Sequence, residues 1–151
     1  MHKSVKNLLY IQDKIKNNTN ATPIIIAVSK NFGPQDILPL LEHGHQHYGE
    51  NKVQEATKKW HELKIKYNNV KLHMIGKLQT NKVRDCLKYF DFIHSVDSKK
   101  LAKKIFDEQI KQKKKVSIFI QINVGDESQK AGVKISEFEE LLDYCNLLKL
   151  N

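Results

Sequence analysis

Strand-like runs and helix-like segments alternate five times along this 151-residue chain, and that alternation limits the folds open to it. An amphipathic segment comes first, over residues 4–17, with Val5, Leu8, Leu9, Ile11 and Ile15 set among Lys, Asn and Gln. Short apolar runs follow at 24–29, 46–49, 72–75, 92–96 and 116–124. Between and after them lie helical segments: Gly33-Pro34 to a C-terminal glycine at Gly44, then 51–67 and 79–90. The fourth opens at a cap on Asp97 or Ser98, and the fifth covers 136–148. Short strands separated by helices require parallel pairing and right-handed crossovers. An open doubly wound sheet and a (β/α) barrel both satisfy this. The absence of GxGxxG after the first run counts against a dinucleotide-binding domain. A complete barrel needs eight strands and about 250 residues, and five units are present here.

Residues 24–30, Ile-Ile-Ile-Ala-Val-Ser-Lys, follow Pro23 and read as a strand buried on both faces, the pattern of a parallel sheet. Alternation puts Ile24, Ile26, Val28 and Lys30 on one face, so Lys30 closes an apolar face at the strand's C-terminal end. Ligands of α/β proteins are held at that end. A lysine there is expected to be partly desolvated, which favours the neutral amine that attacks carbonyls. Its commoner role is a solvated charge marking the edge of a core, so position alone does not decide.

The 26 basic residues and net charge of +9 raise the question of nucleic acid. Arg84 is the only arginine, and the lysines are spread over helix faces apart from Lys111–Lys115, which complements a helix C-terminus. No nucleic-acid partner is expected. No run of 18 apolar residues exists, so no membrane span is expected, and the opening Met-His-Lys-Ser-Val-Lys lacks the apolar stretch of a signal peptide. Cys86 and Cys145 lie far apart in helical patterns and read as buried thiols of a reducing compartment. These features point to a cytoplasmic chain with one domain over 1–151. His43, His45 and His47 alternate, but Gly44 interrupts them and no acidic or cysteine ligand stands nearby, so no metal site is expected.

Polar, glycine-containing clusters stand at the strand ends. They are Ala27-Val28-Ser29-Lys30, Tyr48-Gly49-Glu50-Asn51-Lys52-Val53-Gln54-Glu55, and His73-Met74-Ile75-Gly76-Lys77-Leu78-Gln79-Thr80-Asn81-Lys82. His94-Ser95-Val96-Asp97, Gln121-Ile122-Asn123-Val124 and then Glu127, Lys130 and Gly132 follow. In this order and spacing they resemble the YggS/PROSC family of pyridoxal 5′-phosphate (PLP)-binding proteins, from about residue 5 to the end of the chain. The resemblance implies an α/β, TIM-barrel-like parallel sheet of the alanine racemase N-terminal domain type, incomplete, with about five of eight strands. It implies a Schiff base between PLP and Lys30, and a role in vitamin B6 and amino-acid homeostasis without catalytic turnover. Asn51, Gly76, Asn123 and Lys130 are carried over as further cofactor-binding residues. Each also has a plain local role: Asn51 as a helix cap, Gly76 as a turn, Asn123 toward a neighbouring strand, Lys130 as a loop lysine. Gln79 and Asn81 would order the loop after the third strand.

The resemblance further implies a strand beginning Gly-Leu-Met, a Gly-rich loop with Ser, and an Arg-Ile-Gly-Thr-like segment, which supply most phosphate contacts. None occurs among these 151 residues. The expectation is therefore weakened PLP binding, with a complementing C-terminal segment or an oligomer partner. A racemase-like enzyme is the alternative, and it would need a second acid/base facing Lys30; fold alone does not supply activity. A basic nucleic-acid-binding module is a weaker one, with steep salt dependence as its signature.

Overall fold

The computed structural model describes residues 1–125, 127 and 129–151. Helix α1 (Lys3–Asn18) leads into strand β1 (Ala27–Val28), and α2 (Pro34–Glu42) leads into β2 (His47–Glu50). Then come α3 (Val53–Lys66), β3 (Lys71–Met74), α4 (Val83–Tyr89), β4 (Phe92–Val96), α5 (Lys99–Gln112), β5 (Ser117–Ile120) and α6 (Phe138–Leu147). All strand pairs are parallel and the order is β1-β2-β3-β4-β5. A doubly wound sheet reverses its order at a switch point; this one never does. The sheet is therefore five consecutive staves of a (β/α) barrel wall.

Alternation along each strand sorts the side chains into two layers. Tyr48, Leu72, Met74 and Ile93 turn to the helices, where Trp60, Val83, Cys86, Leu87, Phe90 and Ile105 complete a core at 2% exposure or less. The opposite face carries His47, His73, Phe92, His94 and Phe119 in one aromatic array.

Local signals are realised closely. Ser98 caps α5, accepting from the Leu101 N–H, and Gly44 ends α2 with φ +89°, as a C-terminal glycine should. Cys86 and Cys145 are buried free thiols. The segment expected as one helix from 79 begins with a tighter 3-10 turn, Thr80–Lys82, before α4.

Two strands differ from expectation. The strand expected at 24–29, buried on both faces, is β1 of two residues, with Ile24 61% and Val28 48% exposed. Ala27 pairs with Tyr48, and β2 begins at His47, so residues 24 and 25 have no strand beside them. β1 is also a sheet edge, and its inward face meets no opposing strand among the described residues. The long run at 116–124 narrows to β5 because β4 ends at Val96; beyond it, Ile122 bridges to Val133 instead. The outer edge of β5 is met by Asn151, whose carbonyl accepts from the Ile118 N–H at 2.7 Å and whose amide donates to Ser117 Oγ at 3.0 Å.

Candidate functional site

Lys30 lies two residues beyond β1, at the second position of a four-residue turn closed by the Phe32 N–H donating to the Ser29 carbonyl at 3.2 Å. The third position, Asn31, has φ +65°, the left-handed region that asparagine tolerates better than most residues. Ser29 is fixed to the sheet by its N–H donating to the Gly49 carbonyl at 3.0 Å. The Lys30 side chain is exposed and makes no hydrogen bond or ion pair among the described residues. The expected desolvation is therefore not supplied here. β1 is an edge, and no opposing strand among the described residues shields its inward side.

Beneath this turn sits a buried polar cluster. Glu50, the last residue of β2, is 2% exposed. Its Oε1 accepts from Ser29 Oγ at 2.7 Å and from Trp60 Nε1–H at 2.9 Å, and pairs with Lys59 Nζ at 2.7 Å. Lys59, on α3, is 9% exposed at its side chain and also donates to the Ser29 carbonyl at 2.6 Å and the Phe32 carbonyl at 2.9 Å. An ammonium has three donors, and these three acceptors use them all. Removing one partner of a buried pair strands the other charge, at a cost of about 3–5 kcal/mol. Sequence reading missed Lys59 and Trp60. Lys59 is one of 26 basic residues at ordinary helical spacing, and nothing local distinguishes it.

Asn51 and Gly76 meet at the ends of β2 and β3. A Cβ on Gly76 would lie 2.3 Å from the Asn51 carbonyl oxygen, so glycine is required there by the neighbouring backbone. Asn51 does not cap α3: Lys52 holds the N-cap position and no side-chain cap bond forms. Asn51 instead lines a cleft of about 180 Å³ with Met74, Lys77, Leu78 and Gln79.

Asn123 and Lys130 belong to the far rim, beyond β5. Asn123 Nδ2 donates to the Glu127 carbonyl at 2.8 Å and its Oδ1 accepts from the Glu127 N–H at 3.4 Å, so its amide builds the loop. Lys130 pairs with Glu127 at 2.6 Å. Gly132, at φ +119°, lets the returning chain pass close to Asn123. All these residues follow the C-terminal ends of parallel strands and so share one end of the sheet. Lys30 and Asn123 nevertheless stand at its two edges, four strand spacings or about 19 Å apart along the wall. Ser95, the residue before the last of β4, stands at the same end of the sheet. It is buried at 3% exposure with no partner for its hydroxyl among the described residues.

The three alternating histidines separate. His43 caps α2, and His45 Nε2 bonds the His47 carbonyl at 2.9 Å. His47 Nδ1 meets His73 Nε2 at 2.9 Å, and His73 Nδ1 meets His94 Nε2 at 2.9 Å, giving a chain of imidazoles across β2, β3 and β4. His73 stacks on Phe92 and His94 on Phe119. Burial, then the neighbouring His94 and His47, hold the His73 pKa down at about 4; burial also lowers those of His45, His47 and His94. No group of three or more His, Cys, Asp or Glu side chains that could hold a metal ion occurs among the described residues, and no helix there is long and apolar enough to cross a membrane.

The family model described as "Alanine racemase, N-terminal domain" matches residues 3–150. The pyridoxal phosphate homeostasis protein of Escherichia coli K12 is 31% identical over 148 residues, covering 93% of this chain and 63% of the relative. PipY of Synechococcus elongatus PCC7942 superimposes with TM-scores of 0.83 without PLP and 0.81 with PLP bound, at 31% and 30% identity. Each alignment covers 95% of this chain and 64% of PipY. The chain thus spans a little under two thirds of these relatives. Its strand order, its matched residues and its superposition agree, and within its fold it is similar to the pyridoxal phosphate homeostasis proteins: the chain belongs to the alanine racemase N-terminal domain family.

Proposed function

We propose that this chain binds PLP through Lys30 and serves vitamin B6 and amino-acid homeostasis as a carrier, without catalytic turnover. The observation that carries the reading is an amine with no hydrogen bond or ion pair among the described residues, on a braced turn at the C-terminal end of β1. The residues fit the aldehyde end of the cofactor. Lys30 has no competing hydrogen bond or ion pair among the described residues, and Asn51, whose side chain does not cap α3, stands at the next strand end. When bound, the cofactor would supply an aldehyde, the kind of carbonyl with which the Lys30 amine would condense with loss of one water.

In this reading Gly76 keeps the Asn51 backbone close, so that Asn51 can orient the ring. Asn123 shapes the far rim and Lys130 stands at the mouth. The 151 residues act as one partial barrel domain in the cytoplasm, and a C-terminal segment or oligomer partner covers the inward face. Support for the reading comes from a relative named for PLP homeostasis and from PipY with PLP bound.

The test is titration with PLP, borohydride reduction and peptide mapping. Modification concentrated on Lys30, and lost in both Lys30→Ala and Lys30→Arg, is expected; arginine keeps the charge without the condensing amine. Labelling spread over surface lysines and unchanged in Lys30→Ala would refute it. Repeating the titration with the complementing segment in trans tests the partner, which should tighten binding. Solvent deuterium entering the α-carbon of alanine, and lost in Lys30→Ala, would refute the carrier reading in favour of a racemase.

A further inference from the structure

We infer that Lys59 is a positioning residue for Lys30: its buried ammonium clamps both ends of the turn that presents the Lys30 amine. The inference rests on the proposed role of Lys30 for its functional meaning, and on geometry for the clamp itself. The turn runs Ser29-Lys30-Asn31-Phe32, and Lys59 Nζ donates to the carbonyls of its first and last residues, at 2.6 and 2.9 Å. The third donor faces Glu50 Oε1 at 2.7 Å, and that oxygen also takes the Ser29 hydroxyl. Trp60 Nε1–H, one residue along α3, holds the same oxygen at 2.9 Å.

The need for such a clamp follows from the turn's situation. β1 has two residues and one strand neighbour, so the sheet alone fixes Lys30 weakly. Asn31 is held at φ +65°, a backbone state that most residues leave when unconstrained. An exposed lysine on a loose turn samples many directions, and one on a braced turn is pre-organised for a single carbonyl approach. Lys59 reaches the turn from α3, the helix after β2, so it ties Lys30 to the interior of the wall. Its chemistry is directional donation to carbonyls, and it does not touch the amine that reacts.

The test uses the full chain with Lys59→Met, which keeps length and removes the donors, and Lys59→Met/Glu50→Gln, which also removes the stranded carboxylate. The readouts are amide hydrogen exchange and the rate of PLP attachment at Lys30, trapped by borohydride and mapped. In the double variant the Phe32 amide is expected to exchange at least about tenfold faster, while the core amides of Ile93 and Leu72 keep their protection. Attachment at Lys30 should slow about tenfold, with labelling of other lysines unchanged. Lys59→Arg, which restores donors, should recover part of both effects. Unchanged Phe32 exchange, or equal loss of protection at Ile93 and Leu72, would overturn the clamp. Fast local exchange with undiminished attachment would overturn its positioning role. If the parent chain itself forms no Lys30 adduct, the cofactor reading fails, and faster exchange confined to Phe32 still supports the clamp.

Discussion

Acidification should destabilise this chain through the imidazoles that cross its sheet. In the folded chain His73 has a pKa of about 4, against an ordinary 6.5, because burial and its two histidine neighbours oppose the charged form. Asp91 pulls weakly the other way. Between these two values the unfolded chain takes a proton that the folded chain refuses, so stability falls as pH drops through about 6.5 and levels off below about 4. Each tenfold of proton affinity is worth about 1.4 kcal/mol, which gives a loss of about 2 kcal/mol at pH 5 and at most about 3 in all from His73. His45, His47 and His94 shift in the same direction and add to it. Against a typical domain stability of 5–15 kcal/mol, about 2 is a large share.

The assay is urea unfolding at about pH 7 and about pH 5. With a slope of about 2 kcal/mol per molar, the midpoint should fall by about 1 M in the parent chain. His73→Leu removes the most shifted group and should shrink that fall by half or more. A midpoint independent of pH, or a full fall retained in His73→Leu, would refute the argument.

Two further outcomes follow from packing. Gly76→Ala should cost on the order of 3 kcal/mol, since its Cβ would meet the Asn51 carbonyl at 2.3 Å and backbone cannot rotate away as a side chain could; an unchanged urea midpoint would contradict this. Burial pushes the Cys86 thiol up to about 12 and raises that of Cys145, so a disulfide reagent at about pH 8 should react only as fast as the chain opens, and immediate stoichiometric reaction at Cys86 would show the core to be looser than described.

Much of this architecture was legible in the order of residues. The five strand–helix units, the bounds of β4, the cap at Ser98 and the glycine ending α2 are set by periodicity and by local backbone preferences, which need no distant partner. The ordered clusters around Lys30, Asn51 and Gly76 likewise pointed to one end of a parallel sheet.

What the chain could not declare locally is which elements stand beside one another. The apolar run before Lys30 looks interior, yet Ile24 and Val28 are largely exposed, because burial depends on a neighbouring strand and an opposing face. Lys59 resembles every other helix lysine until β2 brings Glu50 under it and the turn after β1 brings two carbonyls over it. His47 and His73 are 26 residues apart and His73 and His94 21, and they become one hydrogen-bonded chain only through strand register. Periodicity encodes which face of an element is apolar; the identity of the atoms across that face is decided by the pairing of the whole sheet.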